Sequence, residues 1–167
     1  DFSVRPNMIF LVSLDFTMIN KKRQKEIVEQ IQNELLTIFG LRTLSPDDQN
    51  YKGYYIGDYN KDVSYHNGIV WPWLMGPFIS SYLKVNKNDE KTRKLAYNKF
   101  LEPMLKVFGE NWDGSINEIF DGEPVYSPRG CINQAWSVAE ILRSWVEDIE
   151  NKKPKYEKEF VLDKIRI

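Results

Sequence analysis

The chain has 167 residues, enough for one domain with a substantial core, and its 23 Lys and Arg nearly balance its 24 Asp and Glu for a formal net charge of -1. That balance, with no block of basic residues, argues against a nucleic-acid partner. One cysteine, Cys131, and one histidine, His66, exclude an internal disulfide and a Cys/His zinc site.

In chain order, residues 4–18 ("VRPNMIFLVSLDFTM") are apolar on nearly all sides, which predicts a helix buried on more than one face, with a buried strand as the competing assignment. The longest apolar run, "MIFLVSL", is far below the ~20 residues that cross a bilayer, so no membrane partner is expected. The absence of a starting methionine suggests a fragment or a processed product, and the lone thiol suits a reducing, cytoplasmic setting.

Over residues 21–38, Ile27, Ile31 and Leu35 recur at helical spacing until Gly40 ends the pattern. Residues 40–71 lack a period and carry several tyrosines, which predicts a long ordered loop with a functional role. Pro72 then opens a helix running to about residue 85, with Pro77 marking a kink or a late start.

A helix over about 89–108 is interrupted by Pro103 and stopped by Gly109, and a final helix over about 130–150 carries Ala135, Val138, Leu142, Trp145 and Ile149. The domain is expected to cover residues 1–150, followed by a charged tail, 151–167, with a short terminal strand as one reading. The expected fold class is all-α: helices in two layers, with function on the long loops at one end.

Four stretches combine residues suited to chemistry. In "GSINEIFDGEPVYSPRGC", Glu118 lies among Ile116, Ile119 and Phe120, a setting that partly desolvates a carboxylate and suits it to general acid or base work. The plainer alternative is an outward-facing Glu118 on a short strand followed by an Asp121-Gly122 turn. In "SYHNGIVWPWL", His66, Asn67, Trp71 and Trp73 supply flat faces and hydrogen-bonding groups, as a sugar ring requires; core or turn packing is the alternative.

In "FGLRTLSPDD", Arg42 offers a fork for hydroxyls or a carboxylate, or a salt bridge to Asp47 or Asp48. In "RGCINQAWS", Gln134 and Trp136 occupy different faces, so one is expected to reach a site while the other packs, and Cys131 is expected in the core.

Together, "RPNMIFLVSL", "GLRTLSPDD", "YHNGIVWPWLMGPF" and "GSINEIFDG...SPRGCINQAWSVAEILR" resemble the C-terminal part of the amylo-α-1,6-glucosidase, or glycogen-debranching, family over about residues 5–146. The resemblance implies about half of a six-hairpin (α/α)6 toroid that needs no cofactor. It implies inverting hydrolysis of α-1,6-linked glucose in glycogen or branched dextrin, with Glu118 as general base. It also makes Arg42, His66, Asn67, Trp71, Trp73 and Gln134 candidates for substrate contact.

Inversion needs a second carboxylic acid. In the family it lies in an upstream motif resembling "GRDT", which does not occur in this chain. The upstream half of the enzyme is therefore an expected partner, the exposed flank of residues 4–18 is expected to promote self-association, and hydrolysis by this chain alone is not expected. An α-1,4-acting exo-glucosidase, a non-catalytic glucan-binding module and a helical interaction domain remain the competing readings.

Overall fold

The computed structural model describes residues 2–108 and 114–153, with the backbone alone at 58–60 and 108. Helices dominate, as the periodicity predicts. Pro6–Ile9 form a 3-10 turn that leads into α1 (Phe10–Ser13), and α2 spans Lys21–Glu34. α2 starts at Asn20, whose side chain accepts a hydrogen bond from the Arg23 amide at 2.9 Å and so satisfies one free N-H of the first turn.

The helix expected over residues 4–18 is shorter than its apolar run. It ends at Ser13, and Leu14, Phe16 and Met18 beyond it are exposed. A segment that is apolar all round does not distinguish burial inside this chain from an uncovered edge, and Pro6, Ile9 and Val12 are its buried residues.

α4 (Met75–Val85) is the hub. It follows a 3-10 turn at Pro72–Leu74, so Pro72 opens the structure and Pro77 lies in the first turn of the α-helix, where no N-H is lost from the ladder. The late start is thus the correct alternative for Pro77. Met75, Phe78, Ile79 and Leu83 are buried, and α4 contacts α1, α2 and the helices that follow it.

Asp89 caps α5 (Glu90–Ala96) by accepting from the Thr92 amide at 2.8 Å. The expected 89–108 helix is then a composite: α5, a π-helical segment at Tyr97–Leu101, and α6 (Glu102–Phe108). The π segment lets the chain restart as α6 with Pro103 near its beginning, where a proline is tolerated. The expected stop at Gly109, and the tail from residue 154 onward, lie outside the described residues. α7 (Ala135–Arg143) begins later than residue 130 and continues as a second π segment, Ser144–Ile149.

Two features depart from an all-helical reading. The predicted loop 40–71 contains α3 (Asp58–His66). The loops also pair into an antiparallel sheet in the order β1 (Leu41–Arg42), β2 (Val70–Trp71), β3 (Ile119–Phe120) and β4 (Pro128–Arg129). Register sets Arg42 opposite Val70, Val70 opposite Phe120, and Phe120 opposite Pro128.

Phe39 stacks on Phe120 with ring centroids 4.3 Å apart and joins this sheet to the helical core. Gly40 allows the turn into β1: at φ +148°, a Cβ there would lie 2.2 Å from the Trp71 carbonyl oxygen. Among the described residues no helix is long and apolar enough to cross a membrane.

Candidate functional site

Glu118 immediately precedes β3, an inner strand of the sheet. Its backbone amide donates to the Cys131 carbonyl at 2.8 Å, and the Cys131 amide returns a bond to Oε2 of its carboxylate at 2.9 Å. The other oxygen, Oε1, accepts from the hydroxyl of Tyr65 on α3. Gly130 makes this seat possible: at φ +67°, a Cβ would approach Oε2 to 2.6 Å. The carboxylate is partly buried and held from two sides.

Burial, and then the neighbouring Glu118 carboxylate, push the Tyr65 phenol well above its ordinary range. Tyr65 therefore remains a donor across neutral pH.

From Tyr65 an aromatic wall extends away from the carboxylate. The Tyr65 ring meets Trp71 edge to face at 4.8 Å, Trp71 meets Trp136 edge to face at 5.6 Å, and Trp136 stacks on Trp73 at 5.1 Å. Phe10 continues the stack beyond Trp73 at 5.7 Å. These rings, with His66 and Thr43, border an open groove of about 460 Å³ whose lining is mostly apolar. Flat apolar faces beside a fixed carboxylate suit a ligand with C-H faces and hydroxyl rims.

The structure gathers only some of the sequence candidates. Trp71, Trp73 and His66 line the groove, Trp71 as a buried wall and His66 as an exposed rim. Asn67 lies beside it with its side chain engaged: Oδ1 accepts from Arg5 at 2.9 Å and Nδ2 donates to the Val63 carbonyl at 2.8 Å. Gln134 caps α7, its Oε1 accepting from the Ala135 amide at 3.1 Å, while Trp136 turns into the groove. Of that pair, Trp136 lies in the groove wall and Gln134, the expected substrate contact, does not.

Arg42 crosses the sheet instead of pairing with Asp47 or Asp48, and its Nε donates to the Gly122 carbonyl at 2.9 Å. There it faces Tyr51, whose phenol is raised by burial and then by Glu123, with Arg42 opposing. Asp121 and Glu123 therefore do not share Glu118's surroundings: Asp121 is buried against Arg129, and Glu123 adjoins Tyr51. Cys131 is exposed, contrary to its expected place in the core, because its backbone pairs with Glu118 while its side chain turns outward.

Sequence reasoning missed Tyr65, Phe10 and Arg5. Arg5 donates to the carbonyls of Thr43 and His66 and to Asn67, and so fixes the rim from 61 residues away. Tyr65 stands beside His66 in sequence, but only the three-dimensional approach of α3 to β3 reveals its contact.

A carboxylate gripped by two donors and joined through Tyr65 to a tryptophan-lined groove, carried by loops of a helical domain, is the kind of site found in carbohydrate-active proteins. A sequence model of the family described as amylo-alpha-1,6-glucosidase matches residues 1–143. The chain is also 24% identical over 162 residues to a glycogen debranching enzyme of Saccharomyces cerevisiae, covering 85% of this chain and 10% of that relative. The chain belongs to the amylo-alpha-1,6-glucosidase family. It spans about a tenth of the length of the curated relative it matches.

Proposed function

We propose that this chain carries the general-base side of an inverting glucosidase that removes α-1,6-linked glucose from glycogen or branched dextrin. The observation that carries the reading is the Glu118 carboxylate, held by Tyr65 and the Cys131 amide where the aromatic wall ends. Each carboxylate oxygen accepts one described hydrogen bond, and a carboxylate has capacity for about four. Lone pairs are left to orient a water and take its proton.

The wall formed by Trp71, Trp73 and Trp136 would support the glucosyl rings, and His66 would meet their hydroxyls at the rim. Arg42, Asn67 and Gln134 enter the proposal as residues that hold the surrounding loops and reach substrate only with groups left over from the bonds described above.

The leaving oxygen needs a proton from a second carboxyl, roughly 6.5–9.5 Å from the base. In this reading that acid belongs to an upstream half of a cytoplasmic enzyme, and the two parts together complete the (α/α)6 toroid. The exposed Leu11, Leu14, Phe16 and Met18 edge is where that half, or a second copy, would cover the helices.

Two outcomes test this reading. The chain assayed alone on branched dextrin is expected to release no glucose; release at the rate of a complete debranching enzyme would place the acid within this chain. Trp73→Ala is expected to weaken binding of branched dextrin about tenfold in titration calorimetry, the loss expected for one stacked aromatic. Unchanged affinity would remove the groove from the reading.

A further inference from the structure

We infer that Tyr65 is a positioning residue for the base, coupling the aromatic wall to the Glu118 carboxylate. The inference rests on the reading of Glu118 as the base and adds a residue to that site.

A glutamate side chain has three free torsions, and a base that must meet a water within hydrogen-bond reach needs them fixed. One carboxylate oxygen is fixed locally, by the Cys131 amide and the close backbone at Gly130. The other is fixed only from α3, by a hydroxyl 53 residues earlier in the chain. Two donors on two oxygens define the plane of the carboxylate. With one donor the group would rotate about its single anchored oxygen.

Tyr65 is itself immobilised by the wall. Trp71 Nε1 donates to the Tyr65 carbonyl at 3.3 Å, and the Tyr65 ring is packed edge to face between Trp71 and His66. A sugar settling on the tryptophans would therefore press on the residue that aims the base.

In the step itself, the water proton passes to Glu118 as the water oxygen bonds to the anomeric carbon. The bond from that carbon to the leaving oxygen breaks, and this oxygen is protonated by the separate acid. Tyr65 keeps its proton throughout. Its raised phenol pKa, from burial and from Glu118, agrees with a permanent donor.

Among the described residues, these groups face the pair. Tyr65 approaches Tyr55 from the preceding loop, with the Lys61 ammonium over the Tyr55 ring, and His66 lies against it on α3. From the β4 side comes Cys131, while Arg129 is bound to Asp121.

The test is Tyr65→Phe in a polypeptide that also supplies the acid, with Tyr65→Leu and Glu118→Gln beside it. Tyr65→Phe keeps the ring, so KM for branched dextrin should stay within about twofold while kcat falls roughly tenfold. Tyr65→Leu should raise KM as well.

If Tyr65→Phe keeps kcat within about twofold while Glu118→Gln is inactive, the role assigned to Tyr65 is wrong and the base stands. If Glu118→Gln is active, both assignments fall.

Discussion

Replacing Glu118 with Gln, in an enzyme that carries both carboxyl groups, is expected to lower kcat about 10³-fold while leaving the affinity for branched dextrin within about threefold. The expectation depends on how little else changes. Glutamine has nearly the same shape, its amide oxygen can accept from the Cys131 amide, and the Tyr65 hydroxyl can rotate to accept from the new NH2 group. The seat survives and only the proton acceptor is lost. Steady-state kinetics on branched dextrin, paired with calorimetric affinity, separates the two effects. A variant that retains more than a tenth of wild-type kcat would show that another group activates the water.

The second large effect concerns stability. Asp121 is 2% exposed and bound by Arg129 through Nε and Nη2, the closest contact being 2.9 Å, while its Oδ1 also accepts from the Tyr55 amide at 2.9 Å. One carboxylate thus joins β3, β4 and the tyrosine-rich segment ahead of α3. Asp121→Ala is expected to cost about 3 kcal/mol, because it strands a guanidinium and a backbone amide together. Arg129 is partly open to solvent, which keeps the cost at the lower end for a broken buried pair. Urea unfolding measures this directly. A midpoint unchanged from wild type would mean that the sheet does not depend on the pair.

The helices were legible wherever one face repeats. Ile27, Ile31 and Leu35 marked α2 because burial on one side imposes a period that survives in sequence, whereas Ala135, Val138 and Leu142 marked α7 without being its buried face: Ala135 and Leu142 are exposed and Ser137 and Ile141 are buried. α3 was not legible: "DYNKDVSYH" has no apolar stripe, and its place is held by the loops around it. Of the sheet, the sequence offers only a short strand at Glu118, as an alternative, and the rest is illegible for a different reason. A two-residue strand has no alternation to read, and its partners come from segments far apart in the chain.

The site divides in the same way. Glu118 and the tryptophans could be read from their neighbours as candidates, and the family match spans the segments that carry them. The hydroxyl that grips Glu118, the arginine that anchors Asn67 and the outward turn of Cys131 depend on which loops meet, and residue spacing carries no record of that.

The two-residue strands also limit where this chain can change in length. One residue inserted into any of them would turn its remaining side chains to the opposite face, carrying Arg42 off Gly122 or Arg129 off Asp121, since strand side chains alternate. The stretches between strands are under no such restriction. Insertions and deletions among related sequences should therefore collect in the non-helical parts of the stretches between strands, away from Glu118 and its partners, while the four short strands keep a fixed count of residues.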